Sequence, residues 1–159
     1  MIAVSDTGPL LYLSIIDCID LLPRIFEKVF IPQAVAEELS DRSAPAQATA
    51  LIEHCPTWLH ICDVPFTDPS LSRLGRGEQQ AIALAGSVGA NFLLMDDRAA
   101  RDFATQVANI AASGTIGVLY EAAIDDHIPF TAADFDESIA IEELSRRLHS
   151  HETQSRFGP

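Results

Sequence analysis

Two short apolar runs of this chain each end in aspartate. Residues 1–5 lead into Asp6, and residues 91–95 lead into Asp96 and Asp97. Runs of this length, bounded by polar or glycine-containing segments, are typical of strands buried on both faces of a parallel sheet. Because ligands bind outside the carboxyl ends of such strands, we expect the aspartates to face a functional crevice. Carboxylates gathered there repel one another, and a divalent cation is the expected partner.

Each acidic candidate also has a structural explanation. Asp6 could cap the helix that Pro9 opens, and Glu78 lies in a first helical turn, where the helix dipole favours an acid. Asp96 and Asp97 could cap the helix that follows them. One residue is enough for a cap, so metal binding or catalysis is the better explanation of the doubled aspartate.

Arginines accompany the acids in sequence, since Arg76 lies close to Glu78, and Arg98 and Arg101 follow the doubled aspartate. A guanidinium suits bidentate contact with a phosphate, and these three are the candidate substrate ligands. Ion pairing with neighbouring carboxylates is the alternative. The formal net charge of −13 argues against a broad basic surface for nucleic acid.

The length and composition favour one domain. A chain of 159 residues, 48% of them hydrophobic, can bury a full core. We expect a single domain over residues 1–148 and a frayed tail over 149–159. No apolar stretch has the length of a membrane-spanning helix, and no basic region precedes the first apolar run, so a cytoplasmic protein is expected.

The cysteines are three in number and form no CxxC pair, which favours reduced thiols. Two of them, Cys55 and Cys62, lie near His54 and His60. Zinc would need tetrahedral ligands, usually as two close pairs. Packing is the preferred interpretation of this cluster.

Apolar patterning predicts alternating strands and helices, and therefore an α/β fold with a parallel sheet covered on both faces. The predicted strands are 1–5, 28–31, 58–62, 92–95 and 106–110. The predicted helices are 7–16, 18–26, 32–39, 46–55, 79–87, 97–104, 114–124 and 131–148.

Four segments, in this order and spacing, resemble the sequence blocks of the PIN-domain family, most closely the compact prokaryotic members akin to VapC toxins. They are residues 5–10, 31–39, 75–82 and 94–101, and residues 114–117 are similar to a later block. Each block is weak alone, whereas four in order are specific. The resemblance implies a three-layer α/β/α sandwich around a parallel sheet.

The resemblance also implies a function. Family members are typically Mg²⁺- or Mn²⁺-dependent ribonucleases, in which clustered acids bind the metal and a water that the metal activates hydrolyses an RNA phosphodiester. Matched block by block, the catalytic acids would be Asp6, Glu38, Glu78 and Asp97, and Asp96 could share or replace the role of its neighbour. The metal ligands would come from Asp6, Asp97, Asp96 and Glu78. RNA is the implied substrate, and a cognate antitoxin and a homodimer are further implied partners.

Two positions depart from the family pattern. The third acid is commonly aspartate in VapC-like members, whereas this chain has Glu78, whose longer side chain could still reach a metal. Gly8 stands where a small hydroxyl residue is often found.

Two other interpretations compete with the ribonuclease. A haloacid-dehalogenase-like phosphatase would need a second aspartate at the position of Gly8 and a downstream lysine, but Lys28 is the only lysine. A PIN-like module that is catalytically weak or inactive and serves in binding is the alternative function. The intact acids argue against it, although the strong negative charge implies weak RNA binding.

Overall fold

Five parallel strands form the central sheet of the protein, whose computed structural model describes residues 1–64, 67–106 and 108–124. The sheet order is β3-β2-β1-β4-β5. The strands are β1 (Ile2–Ser5), β2 (Lys28–Pro32), β3 (Leu59–Cys62), β4 (Phe92–Leu94) and β5 (Ala111–Ser113). All four neighbouring pairs are parallel, which confirms the predicted α/β class.

Helices connect the strands and follow the last one. They are α1 (Thr7–Ile15), α2 (Leu22–Ile25), α3 (Gln33–Leu39), α4 (Ala46–His54), α5 (Arg76–Val88), α6 (Arg98–Gln106) and α7 (Thr115–Ile124). Short 3₁₀ helices cover Ile19–Leu21 and Pro69–Leu71. None of the helices in the described ranges is long and apolar enough to cross a membrane.

Two hydrophobic clusters cover the two faces of the sheet. On one face, Val29 and Ile31 of the sheet pack in a cluster with residues of α1, α3, α4 and α7. On the other face, Val4 and Leu93 pack with residues of α5 and α6. Full burial of each such side chain contributes about 1.5–3 kcal/mol. The apolar strands therefore hold a three-layer α/β/α sandwich together, as predicted.

The carboxyl ends of β1, β4 and β5 lie in one row. Ser5 pairs with Leu94, and Leu94 pairs with Ser113. The chain builds β2 and β3 on one side of β1 and β4 and β5 on the other, so the connections change direction between β1 and β4. In open α/β sheets, ligands bind at such a switch point.

One predicted element is misplaced, and others lie outside the described residues. Helix α6 continues to Gln106, and β5 is Ala111–Ser113 rather than 106–110. The predicted helix 131–148, the tail 149–159 and the domain boundary between them fall outside the described ranges.

Candidate functional site

Asp6 and Glu38 approach each other at the start of α5. Asp6 follows β1 directly, and Glu38 lies in α3, which follows the neighbouring strand β2. A Cβ atom on Gly77 would lie 3.1 Å from Asp6 Oδ1 and 3.2 Å from Glu38 Oε1. The two carboxylate oxygens are therefore no further apart than the sum of these distances. A glycine at this position lets the helix backbone approach both acids closely.

Glu38 and Glu78 are each held by one further contact near the ends of helices. The Thr7 hydroxyl, in the first turn of α1, donates to Glu38 Oε2. The Gly75 N–H donates to Glu78 Oε2 at 2.8 Å, which satisfies a backbone donor at the start of α5. Each glutamate keeps a second carboxylate oxygen, and in Glu38 this is Oε1, the oxygen closest to Gly77.

The electrostatics of Asp6 reflect this crowding. Burial, with added repulsion from Glu78, Glu38 and Asp96, raises the pKa of Asp6 from 3.8 to about 6, although the Thr7 backbone N–H lowers it in part. Among the described residues, the one ion pair joins Arg76 to Glu37, so none of these four acids has a cationic side chain as partner. We call Asp6, Glu38, Glu78 and Asp96 the acidic site.

Asp96 is the member of the doubled aspartate that belongs to the acidic site. Thr115 donates its N–H to Asp96 Oδ1 and its hydroxyl to Oδ2, both at 2.7 Å. A Cβ on Gly8 would lie 2.8 Å from Oδ2, and one on Gly114 would lie 2.7 Å from Oδ1. The carboxylate therefore fills the space between the first turn of α1 and the start of α7. A residue with a side chain at position 8 would therefore have to displace this carboxylate.

Asp97 points elsewhere and caps α6. Its Oδ1 accepts the N–H of Ala100 at 2.8 Å, the bond that a residue preceding a helix makes with the third helical residue. Asp97 is exposed, and within the described chain it is not among the carboxylates that raise the pKa of Asp6. The structure thus groups Asp96, rather than Asp97, with Asp6.

The three candidate arginines have different surroundings. Arg76 is exposed and pairs with Glu37 at 3.0 Å. Arg101 Nη1 donates to the backbone carbonyls of Met95 at 3.0 Å and Asp96 at 2.6 Å, so it fixes the chain after β4. Arg98 is exposed at the start of α6. Arg101 is thus partly committed to the backbone, and Arg76 to a surface ion pair of modest strength.

The acidic site offers only carboxylate oxygens, the ligands that Mg²⁺ and Mn²⁺ prefer. Within the described ranges, no group of three or more acidic, histidine or cysteine side chains is arranged to hold a metal ion, either at the acidic site or over residues 54–62. Mg²⁺ does not need such a set, because it keeps several waters and takes one or two carboxylates directly. The approach of Asp6 and Glu38 to Gly77, the repulsion of Asp6 by Asp96 and the lack of an ion-pair partner for these acids among the described residues fit such an ion.

Sequence reasoning missed the contacts that orient the acids. Thr7 and Thr115 lie in the segments 5–10 and 114–117, whose patterns predict no role for either hydroxyl. Gly77 lies in the segment 75–82, and its pattern predicts no contact with the acids. Thr115 lies two residues after β5 as Asp96 lies two residues after β4, but this positional signal was hidden because the sequence misplaced β5 at 106–110.

Comparison with known proteins supports the same architecture. A family model described as "DUF3368: PIN domain" matches residues 2–150. Among solved structures, the chain is similar to a PilT N-terminus domain protein from the hyperthermophilic archaeon Sulfolobus solfataricus P2. The TM-score is 0.57 at 15% sequence identity, and the match covers 77% of this chain and 93% of the other. A search of curated proteins finds no significant match. At this identity the structural likeness shows the fold alone.

Proposed function

Because this chain belongs to the PIN-domain family, whose members are generally metal-dependent nucleases, we propose that it is an Mg²⁺- or Mn²⁺-dependent endoribonuclease. The proposed reaction is hydrolysis of an RNA phosphodiester at the acidic site. The choice of RNA rests on the likeness of the four motifs to those of compact VapC-like members. The proposed catalytic acids differ from those that the resemblance implies at one position, since Asp96, already among the implied metal ligands, takes the place of Asp97, and Glu78 is proposed to contact the metal through water rather than directly.

The observation that carries the proposal is the arrangement of acids at the switch point of the sheet. Three different segments of the chain supply Asp6, Glu38 and Asp96. Their carboxylates come close to the backbone at glycine positions, where a larger residue would place a side chain against them. Asp6 has a pKa raised to about 6 by burial and by its acidic neighbours. Charges in such a position destabilise the folded protein unless a cation neutralises them, which is typical of a functional site.

In the proposed site, Asp6 and Asp96 would hold the metal, and Glu38 and Glu78 would contact it through water. When bound, a divalent ion makes a water more nucleophilic and stabilises charge on the phosphoryl oxygens. Glu38 Oε2 accepts the Thr7 hydroxyl, which leaves Oε1 as the proposed proton acceptor for the attacking water. In the proposed hydrolysis, Glu38 would take a proton from the water as the water oxygen bonds to phosphorus, the P–O bond to the leaving oxygen would break, and the leaving oxygen would take a proton from solvent water.

Substrate contact would come from the arginines beside the acidic site. Arg76 is exposed, and its partner Glu37 is exposed as well. Such pairs contribute little, about 0–1 kcal/mol, so an RNA phosphate could replace Glu37 as the partner of Arg76. Arg98 is exposed and available for a second contact, whereas Arg101 has backbone partners.

The test is cleavage of single-stranded and structured RNA with Mg²⁺, Mn²⁺ or EDTA, with DNA of the same sequence as a parallel substrate. We expect cleavage of RNA with either metal and none in EDTA. Asp6→Asn should abolish cleavage, whereas Asp102→Asn, at an exposed position of α6, should not. Wild-type protein that cleaves nothing with either metal would favour the binding module, and cleavage of DNA alone would overturn the choice of RNA.

The cellular setting that we propose is a cytoplasmic toxin of a toxin–antitoxin pair, as in the VapC proteins whose motifs this chain resembles. Expression should then arrest growth, and the arrest should vanish with Asp6→Asn. A cognate antitoxin should relieve the arrest when the two are expressed together. Sedimentation of the purified protein would test the proposed homodimer. Continued growth during expression of a protein that cleaves RNA in vitro would contradict the toxin role alone.

A further inference from the structure

Thr115 contacts both oxygens of Asp96 from a buried position. It is 2% exposed, and it begins α7 immediately beyond β5, the edge neighbour of β4. Its backbone N–H and its hydroxyl each donate to a different carboxylate oxygen at 2.7 Å. Two short bonds to two oxygens fix both the position and the rotation of a carboxylate group.

The surroundings of Asp96 leave this carboxylate little other freedom. Gly8 and Gly114 lie so close that a Cβ on either would be less than 3 Å from a carboxylate oxygen. Arg101 holds the carbonyls of Met95 and of Asp96 itself, which fixes the backbone that carries the side chain. The orientation of the Asp96 carboxylate is thus restricted by Thr115, Gly8 and Gly114, and Thr115 supplies the only two hydrogen bonds to its carboxylate oxygens among the described residues.

The two bonds from Thr115 occupy only part of the hydrogen-bonding capacity of the Asp96 carboxylate. An ionised carboxylate has about four lone-pair positions for hydrogen bonds or metal contacts. The two bonds from Thr115 occupy one position on each oxygen. Among the described residues, no donor contacts the remaining lone pair on each oxygen, and the fixed orientation determines where that lone pair points.

We propose that Thr115 is the positioning residue of the metal site, which sets the carboxylate of Asp96 for metal binding. This inference rests on the proposed function, because it assumes that Asp96 contacts the metal. Residues that orient metal ligands typically change metal affinity by about 10- to 100-fold when they are removed. A role limited to starting α7 would instead change stability and leave the affinity for metal unaltered.

The test is the dissociation constant for Mn²⁺ alone, measured by calorimetry and by electron paramagnetic resonance on the full chain. Thr115→Val removes the hydroxyl with little change of shape and should weaken binding about tenfold or more, while Thr115→Ser should restore it. Thr49→Val is the matched control, because it removes a threonine hydroxyl bond in α4, which carries no member of the acidic site. Should the valine variant fold poorly, Thr115→Ala serves as the second deletion.

A double-mutant cycle separates positioning from structure. In an Asp96→Asn background, Thr115→Val should have no further effect on Mn²⁺ affinity, since the two residues act as a unit. Wild-type Mn²⁺ binding combined with unchanged affinity in folded Thr115→Val would overturn the role of Thr115 and leave the proposed function intact. Failure of the wild type to bind Mn²⁺ would overturn both.

Discussion

Replacement of Asp6 by asparagine should stabilise the metal-free protein while it removes the proposed activity. Asp6 is half-buried, and its carboxylate lies among Glu78, Glu38 and Asp96. Asparagine has nearly the same shape without the charge. The substitution therefore relieves burial of a charge and repulsion by three others.

The magnitude follows from the pKa of Asp6, which is raised from 3.8 to about 6. A shift of this size corresponds to about 3 kcal/mol. Since the folded state keeps the proton to higher pH than the unfolded state, the free energy of unfolding falls as pH rises between about 4 and about 6 and is flat above. Asparagine does not titrate in this range, so the Asp6→Asn variant is spared this fall in the free energy of unfolding. At pH 7.5 in EDTA, the free energy of unfolding of Asp6→Asn should exceed that of the wild type by up to about 3 kcal/mol, and at pH 4 the two values should converge.

Thermal and urea unfolding in EDTA at both pH values measure this difference, and each kcal/mol moves the Tm by roughly 2–4 °C in a domain of this size. Asp41→Asn is the control, since hydrogen bonds from the Ser43 side chain and backbone lower the pKa of exposed Asp41 and its loss should not stabilise. Mg²⁺ should reduce the difference in stability between the variant and the wild type, because it binds and stabilises the wild type. A free Mg²⁺ concentration of 100 times the dissociation constant corresponds to about 2.7 kcal/mol of stabilisation. An Asp6→Asn variant no more stable than wild type at pH 7.5 in EDTA would refute the reasoning.

Three further outcomes test individual contacts. Gly86→Ala, in open space on α5, should raise the free energy of unfolding by about 0.4–1 kcal/mol. Gly77→Ala on the same helix should bring no such gain and should weaken Mn²⁺ binding, because its Cβ would press on two carboxylates. Equal increases in the free energy of unfolding for both variants, measured in urea, would argue against that contact. Asp97→Ala should lower the free energy of unfolding by about 1 kcal/mol through loss of the α6 cap and should leave the Mn²⁺ affinity unchanged. A lower Mn²⁺ affinity in this variant would show that Asp97 contributes to the metal site. Arg76→Gln should raise the KM for RNA with kcat nearly unchanged. It should also reduce the slope of log binding constant against log salt concentration by about 1, the value for one phosphate contact. An unaltered slope would exclude Arg76 as a phosphate ligand.

The sequence predicted the parts of the fold that depend on apolar patterning. The runs that became β1, β2 and β4 are mostly buried, and their bounds were predicted within one or two residues. Strand β5 was misplaced because Ala111–Ser113 contains neither β-branched nor aromatic residues, so it has no local strand signal. Its position depends on pairing with β4, which is a tertiary contact.

The candidate site was predicted in composition but not in detail. Motif resemblance identified Asp6, Glu38 and Glu78, which the structure brings near one another. The choice between Asp96 and Asp97 depended on the first residue of α6: a helix that begins at Arg98 makes Asp97 its cap. A shift of one residue in a helix boundary is beyond what local sequence determines.

The most direct test of the central claim compares Asp96→Asn with Asp97→Asn in one assay of RNA cleavage with Mn²⁺. The pair is matched, because the residues are adjacent and the chemical change is identical, and asparagine at 97 still caps a helix well. The acidic site described here predicts that Asp97→Asn cleaves at nearly the wild-type rate and that Asp96→Asn loses more than about 100-fold. Full activity in Asp96→Asn, or its loss in Asp97→Asn alone, would contradict the account.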